Sequence, residues 1–238
     1  MSILFPLPWY AYLIIALLCA VNWAAAFFDN LKLYYISKPF VLIAMIAFFA
    51  HSEGLSALRL PFFIGLVFSL LGDVFLIPQR TRFFVTGMGA FAIAHLAYIY
   101  GYTQWGVSYW TYIPAFFALV VLVLAFNFYI ETQCKEASLP RFQKRLFKAY
   151  GVLVAGMALA GWLCLARVGW GRLPAVMAGL GGSFFMVSDL MIALGKLEKR
   201  IHRQRFWVIV TYHIAQMLIL SSVLMVKPAF SRCNPATL

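Results

Sequence analysis

The pattern of apolar and polar positions divides the chain into eight long apolar runs separated by short polar segments. The runs cover residues 9–28, 36–50, 60–77, 83–103, 109–130, 146–166, 172–194 and 205–226. Runs of about 17–25 apolar residues cross a bilayer as α-helices, whereas the strands of a membrane barrel would be short and alternating. The pattern therefore predicts an all-α fold, a polytopic membrane helix bundle of about eight transmembrane helices that forms one domain over residues 1–238. Residues 36–50 are short for a span and fit either a buried or a tilted helix.

Composition and charge agree with a membrane protein. Hydrophobic residues make up 64% of the chain and charged residues 11%, against roughly 45–50% and 25% in average domains. A soluble domain of this size could not hide so much apolar side chain. The formal net charge of +12 does not indicate a nucleic-acid partner, because the basic residues lie in short loops between apolar runs. There they orient the protein and meet anionic lipid head groups.

The distribution of basic residues predicts the orientation. Loops after the odd-numbered runs carry 14 of the 19 basic residues: Lys32, Lys38, Arg80, Arg82, Lys135, Arg141, Lys144, Arg145, Lys148, Lys196, Lys199, Arg200, Arg203 and Arg205. The opposite side carries Arg59, Arg167, Arg172, Lys227 and Arg232. By the positive-inside rule, both termini lie outside the cytoplasm, and we expect a bacterial inner membrane. No basic residue precedes Lys32, so the chain does not begin like a cleavable signal peptide.

Two carboxyl groups stand out because they lie inside apolar runs. Asp73 and Asp189 come four or five residues before their runs end on the predicted cytoplasmic side, and the other five acidic residues lie in loops or at a run's end. An Asp at the centre of a membrane helix costs about 2.5–3.5 kcal/mol even on the mildest insertion scale. Two at matched depth suggest a shared purpose, although each could simply bond a neighbouring helix. We expect them to face each other in one water-accessible pocket.

The segments around these residues resemble each other. Phe68–Asp73 and Phe184–Asp189 both end apolar runs, and each is followed by a basic loop and a run that holds one histidine, His95 or His213. This similarity is either a parallel repeat of four plus four helices or chance resemblance among apolar helices.

Further polar residues lie within or at the ends of the runs. Lys38 and Pro39 appear at the start of the second run, where proline suits the first turn of a helix and lysine either reaches the interface or meets a phosphate. The other candidates share helix faces or neighbour the two carboxyls: His95 and Tyr98; Tyr212, His213 and Gln216; Ser69 and Ser188; and Asn22. Gly181 and Gly182 indicate close helix packing rather than a phosphate cradle. The scattered cysteines show no metal-site spacing, and we expect no cofactor.

At these positions the chain resembles the YhhN-like lysoplasmalogenases. The resemblance lies in five segments that follow the family's order: Lys38-Pro39, Ser69–Asp73, the face formed by Gly87, Phe91, Ala94, His95 and Tyr98, the stretch from Gly182-Ser183-Phe184 to Ser188-Asp189, and Tyr212-His213 with Ala215-Gln216. The family has about eight membrane helices. Its characterised members hydrolyse the vinyl ether bond of lysoplasmalogens to a fatty aldehyde and glycerophospho-ethanolamine or -choline. The resemblance implies that activity here, with a lysophospholipid as substrate.

The chemistry of a vinyl ether suits two carboxyl groups. Its outer carbon must be protonated, and water must then attack the resulting oxocarbenium ion, so one group holds a proton and the other accepts one. Asp73 and Asp189 are the expected pair, without a decision between the two roles. His95, Tyr98, Tyr212, His213 and Gln216 would orient water or bind the glycerol oxygens, and Lys38 would hold the phosphate.

Two alternatives remain open at this point. A metal-dependent membrane hydrolase acting on a lipid amide or ester could bind Zn²⁺ through the two aspartates and two histidines, although no closely spaced ligand pair supports it. A proton-coupled transporter could use the same residues as a proton relay.

Overall fold

A computed structural model describes residues 7–52, 56–78, 80–104, 109–134, 141–167, 169–197 and 201–226. Within these ranges the structure has eight α-helices and a short 3-10 turn, Leu163–Ala166, that continues the sixth helix. The helices are α1 (Trp9–Phe27), α2 (Leu31–His51), α3 (Leu60–Phe75), α4 (Thr81–Thr103), α5 (Tyr109–Cys134), α6 (Arg141–Trp162), α7 (Arg172–Lys196) and α8 (Gln204–Met225). The predicted all-α bundle is confirmed. Lys135, Lys199, Arg200, Lys227 and Arg232, which entered the charge count, lie outside the described residues.

The bundle has the dimensions and surface of a membrane protein. In the part of the chain that the structure describes, six segments are long and apolar enough to cross a membrane: α1, α2, α4, α7, α8 and the stretch Arg145–Ala166. Large apolar side chains cover the outside of the bundle, including Leu17 at 58% exposure and Phe128 at 73%. Contiguous apolar surface of this kind is stable against lipid and not against water. The chain is an integral, multi-pass membrane protein.

The second helix differs from the sequence-based expectation. We expected a short run over residues 36–50 that opens at Lys38-Pro39, but α2 spans Leu31–His51 and contains Pro39 in its interior. The helix begins earlier because the side chain of Asn30 accepts a hydrogen bond from the backbone N–H of Leu33, as an N-cap does. Lys38 therefore lies two turns inside the helix and not at a free helix N-terminus. The short apolar helix is instead α3, with 16 residues.

Small residues bring the central helices into close contact. A side chain at Gly72 of α3 would collide with the ring of Phe91 on α4, so these two helices approach closely beside Asp73. A side chain at Gly182 of α7 would collide with Ala158 on α6, and Gly181 lies equally close to Ile219 on α8. The interpretation of this glycine pair as a packing surface is confirmed.

The first and last helices meet at the end of the bundle that holds the predicted cytoplasmic loops. Arg205 at the start of α8 forms an ion pair of 2.8 Å with Asp29 just after α1. Nearby, the guanidinium of Arg203 lies 3.6 Å from the ring centre of Phe27. These contacts join α1 to α8, and the ends of α3 and α7 reach the same side.

Candidate active site

Asp73 lies in the centre of the bundle beside a single cation. The Lys38 Nζ of α2 is 2.9 Å from the Asp73 Oδ1, and the two side chains are 10% and 2% exposed. The other carboxyl oxygen, Oδ2, has no hydrogen-bond partner among the described residues. Tyr212 of α8 is a near neighbour that interacts electrostatically with Asp73. A buried carboxylate is tolerated where a cation compensates its charge, and this arrangement leaves one oxygen able to accept a proton.

Asp189 lies on α7 beside a tyrosine and a histidine. The Tyr150 hydroxyl of α6 donates a hydrogen bond of 2.8 Å to the Asp189 Oδ2. The His95 Nε2 of α4 is 3.2 Å from the same oxygen and 3.2 Å from the Tyr150 hydroxyl. In the part of the chain that the structure describes, no lysine or arginine pairs with Asp189. The three side chains form a compact cluster at the junction of α4, α6 and α7.

An aromatic layer separates the two carboxyl groups. Phe185 lies 4.6 Å from His95 and 5.3 Å from Tyr212, measured between ring centres. Phe91 lies 5.9 Å from Tyr212 and 6.1 Å from Phe185. Phe185 therefore packs both on His95, the partner of Asp189, and on Tyr212, the neighbour of Asp73, and among the described contacts no hydrogen bond joins the two carboxyl groups. The two predicted catalytic residues thus occupy adjacent half-sites.

Two adjoining clefts lie beside these half-sites. The first is apolar, includes Asp189 and Tyr150 in its wall, and has a volume of about 30 Å³, which suits one or two water molecules. The second is polar, has a volume of about 310 Å³, and includes Lys38, Lys196 and Arg205 in its wall. Both clefts share three residues: Leu76, Phe84 and Ile192. Asp73 lines neither cleft and lies behind Lys38, so the structure does not bring both aspartates to the wall of one described cavity.

Three of the other predicted residues form a buried chain of hydrogen bonds. The Tyr98 hydroxyl donates a hydrogen bond of 2.8 Å to the Gln216 Oε1, and the Gln216 Nε2 donates one of 3.0 Å to the Ser69 Oγ. All three residues have no exposed surface. The chain joins α3, α4 and α8 one turn from Asp73. Ser188 is not part of it, since its hydroxyl donates 3.0 Å to the backbone carbonyl of Val208.

His213 and Asn22 have partners away from both aspartates. The Trp23 indole N–H donates 3.1 Å to the His213 Nδ1, which places the ring proton on Nε2. His213 lines a separate apolar cleft together with Trp23 and Cys19. The Asn22 Nδ2 donates a hydrogen bond of 2.9 Å to the Tyr34 carbonyl and one of 2.8 Å to the Ser37 hydroxyl, and these bonds join α1 to α2.

Sequence reasoning missed Tyr150. The signal for it was present, because Phe147, Tyr150, Gly151 and Val154 recur at helical spacing and all line the apolar cleft. Lys196 and Arg205 entered the sequence analysis only as loop charges. Among the described residues, no group of three or more His, Cys, Asp or Glu side chains converges as metal ligands would. The metal-site alternative therefore has no ligand cluster in those ranges.

Comparison with known proteins supports the resemblance. Residues 33–223 match the YhhN family. The chain is 34% identical over 162 residues to "Lysoplasmalogenase TMEM86A" of Homo sapiens, covering 66% of this chain and 62% of the relative. It is 33% identical to the Bos taurus protein of the same name over 66% of this chain and 62% of the relative. It is 30% identical to "Lysoplasmalogenase TMEM86B" of Homo sapiens over 67% and 62%. The match therefore spans about 62% of the length of these relatives. No solved structure gives a significant match.

Proposed function

Because the chain belongs to the YhhN family, we propose that it is a membrane-embedded lysoplasmalogenase. It hydrolyses the vinyl ether bond of 1-alkenyl-glycerophosphoethanolamine or -choline and releases a fatty aldehyde and the glycerophosphodiester. Relatives that carry this name support the assignment. The observation that carries it in the structure is a pair of neighbouring carboxyl groups beside adjoining apolar and polar clefts: Asp73 is buried and bound to Lys38, and Asp189 is partly buried and accepts a hydrogen bond from Tyr150.

The clefts suit the two ends of such a substrate. A lysoplasmalogen has an apolar alkenyl chain and a charged head, and its vinyl ether lies where the two meet. With the chain in the apolar cleft and the head in the polar one, the reactive bond lies near their shared residues, Leu76, Phe84 and Ile192. The apolar cleft is too narrow for a chain as it stands, so entry requires movement of flexible side chains such as Met88 and Met186 in its wall.

The environments of the two carboxyl groups assign their roles. Asp189 is the general acid: it lies in the wall of the apolar cleft and, among the described residues, pairs with no lysine or arginine, so the proton that the outer vinyl carbon receives is assigned to it. Asp73 is the general base: Lys38 compensates its charge as a carboxylate, and its Oδ2 has no hydrogen-bond partner among the described residues. Because Asp73 lines neither cleft, this role requires Phe91, which lines the apolar cleft and lies 5.9 Å from Tyr212, to move and admit the water. Water then adds to the oxocarbenium carbon and gives its proton to Asp73. When the hemiacetal collapses, the glycerol oxygen takes that proton from Asp73 and the hemiacetal hydroxyl returns one to Asp189, which leaves aldehyde and glycerol hydroxyl.

The neighbouring side chains serve these two groups. His95 and Tyr150 hold Asp189 in position, while Tyr212 lies close enough to Asp73 to orient the attacking water. Behind the site, the hydrogen-bonded chain of Tyr98, Gln216 and Ser69 holds α3, α4 and α8 together. His213 and Asn22 stabilise the bundle from outside the reacting centre. The site needs no metal or cofactor for these steps.

The same proposal includes a location. The chain resides in a bacterial inner membrane with its termini outside the cytoplasm, and the polar cleft opens towards the cytoplasm. The excess of basic residues on that side supports this orientation. A reporter fused to either terminus tests it, since a cytoplasmic signal would reverse the orientation.

The activity is tested with the purified full-length protein in neutral detergent. The substrates are a lysoplasmalogen and the saturated ether analogue of the same chain length, and the product measured is fatty aldehyde. We expect aldehyde from the vinyl ether alone, retained in the presence of a chelator and lost in the Asp189→Asn variant. No aldehyde from folded wild-type protein would overturn the proposal, and loss of activity on chelation would favour the metal-dependent alternative.

A further inference from the structure

The polar cleft contains two cations that the proposed reaction does not use. Lys196 is the last residue of α7 and Arg205 is the second residue of α8, and both side chains line this cleft. We propose that Lys196 and Arg205 form the binding site for the phosphodiester of the lysophospholipid, in place of Lys38. This inference rests on the proposed function and adds the residues that recognise the head group.

Lys38 is unsuited to that task because its charge is already committed. Its Nζ lies 2.9 Å from the Asp73 Oδ1, and the side chain is 10% exposed. A phosphate that drew this ammonium group away would leave Asp73 as an unpaired buried carboxylate, which is strongly unfavourable. Lys38 therefore closes the inner end of the polar cleft, and the substrate phosphate needs cations nearer the opening.

Lys196 and Arg205 meet that requirement. The Lys196 Nζ lies 4.6 Å from the ring centre of Phe84, a residue shared by both clefts. Arg205 is 32% exposed and its guanidinium lies 5.7 Å from the ring centre of Tyr34, in the wall of the same cleft. Arginine presents a planar fork of donors that matches phosphate oxygens, and lysine adds a compact charge. The two residues lie at helix ends, on the side that we expect to face the cytoplasm.

The existing partner of Arg205 does not block this role. Its ion pair with Asp29 is 2.8 Å long, but the Asp29 side chain is 79% exposed. Exposed pairs contribute about 0–1 kcal/mol, so a phosphate can share or replace the carboxylate. Asp29 lies in the turn between α1 and α2 and lines a neighbouring cleft together with Arg205, outside the polar cleft itself. Removing its negative charge should leave Arg205 more available to the phosphate.

The positions of the two clefts indicate what a phosphate bound at Lys196 and Arg205 would do for the reaction. Phe84 lies beside Lys196 and in the walls of both clefts, so a phosphate held there is connected directly to the apolar path that leads to Asp189. A glycerol unit of fixed length joins the phosphate to the vinyl ether. Anchoring the phosphate at Lys196 and Arg205 therefore limits how far the reactive bond can travel along the apolar cleft. A 1-alkenylglycerol, which lacks the phosphate, would bind without this anchor.

The test compares a phosphorylated with an unphosphorylated substrate in neutral detergent. For Lys196→Gln and Arg205→Gln we expect KM for lysoplasmalogen to rise about fivefold to tenfold with little change in kcat. With 1-alkenylglycerol the KM values of both variants should equal that of the wild type. Lys148→Gln is the matched control, because Lys148 is also exposed but pairs with Glu131 away from the clefts. Asp29→Asn should lower KM for the phosphorylated substrate, and a rise would show that Arg205 acts through Asp29.

Inhibition by soluble glycerophosphocholine tests whether the two cations bind the phosphate of the substrate or the phosphates of the surrounding membrane lipids. It should inhibit the wild type competitively and inhibit Arg205→Gln about fivefold to tenfold more weakly. If the variants differ from the wild type only in vesicles of anionic lipid and not in neutral detergent, the two cations bind the surrounding membrane and the inference is wrong. It is equally wrong if the wild type releases aldehyde and both variants keep the wild-type KM. If the wild type releases no aldehyde from either substrate, the proposed function itself fails.

Discussion

The surroundings of Asp73 and Asp189 differ more than their sequence contexts do. Both residues end an apolar stretch of similar sequence, yet Asp73 is bound to the ammonium group of Lys38 and Asp189 to the hydroxyl of Tyr150. A cation compensates the charge of a carboxylate, whereas a tyrosine hydroxyl donates a hydrogen bond without adding charge. The proposed division into a base and an acid therefore rests on the partners of the two aspartates and not on their local sequences.

The arrangement of partners around the two residues is nevertheless symmetric. Each aspartate takes its first partner from the preceding helix, Lys38 of α2 or Tyr150 of α6. Each has a second neighbour from the last helix of the other half, Tyr212 of α8 or His95 of α4. This pattern fits the parallel repeat of four plus four helices, one of the two explanations for the similar segments in the sequence. At corresponding positions of the two half-sites, one has lysine and the other has tyrosine.

The strongest prediction is that neither half-site works alone. Asp73→Asn and Asp189→Asn each keep the side-chain shape and remove the titrating group, so each should lower kcat by about 10²–10⁴-fold. The double variant should be little worse than either single variant, because paired catalytic groups act as a unit. Steady-state aldehyde release from folded, purified variants measures this. Near-normal turnover in either single variant would contradict the proposed division of roles.

The partner of Asp73 should have the next largest effect. Lys38→Met leaves a buried carboxylate without its cation, which costs about 3–5 kcal/mol where no rearrangement relieves it. We expect a large drop in the thermal unfolding midpoint in detergent together with loss of turnover. Lys38→Met combined with Asp73→Asn should recover most of the midpoint and none of the activity. A single variant that keeps its midpoint and changes only KM would return Lys38 to phosphate binding.

The partners of the two aspartates show which parts of the site could be predicted from the sequence and which could not. Apolar run lengths predicted the bundle, and the isolation of Asp73 and Asp189 among apolar residues marked both as candidates. Spacing along one helix identifies residues that share a face, but it does not say which helix that face meets. For this reason Tyr150, 39 residues before Asp189, went unnoticed. The N-cap at Asn30 likewise moved Lys38 from the expected helix start into the interior of α2.

The partner of Asp189 should have a smaller effect than Lys38, because it carries no charge. Tyr150→Phe keeps the ring in the cleft and removes one hydrogen bond to the carboxyl, a contact worth about 0.5–1.5 kcal/mol between neutral groups, as the protonated acid and the tyrosine are. We expect kcat to fall about twofold to tenfold with KM and the unfolding midpoint nearly unchanged. The wild-type pH–rate profile should be bell-shaped, and the variant should alter its shape. A change in KM alone would make Tyr150 a contact of the alkenyl chain.

The smallest expected effect concerns His213, whose surroundings differ from those of its counterpart His95. His95 lies 3.2 Å from the Asp189 Oδ2, but its counterpart His213 accepts a hydrogen bond from Trp23 and lines a different cleft. Trp23→Phe removes that hydrogen bond, which stabilises the fold by about 0.5–1.5 kcal/mol. We expect a small decrease in the unfolding midpoint and a kcat/KM within about twofold of the wild type, as for a neutral hydrogen bond outside the site. If kcat instead falls strongly, the ring proton that Trp23 fixes on His213 Nε2 takes part in turnover. His213 would then serve Asp73 as His95 serves Asp189, and the two half-sites would be more alike than their contacts indicate.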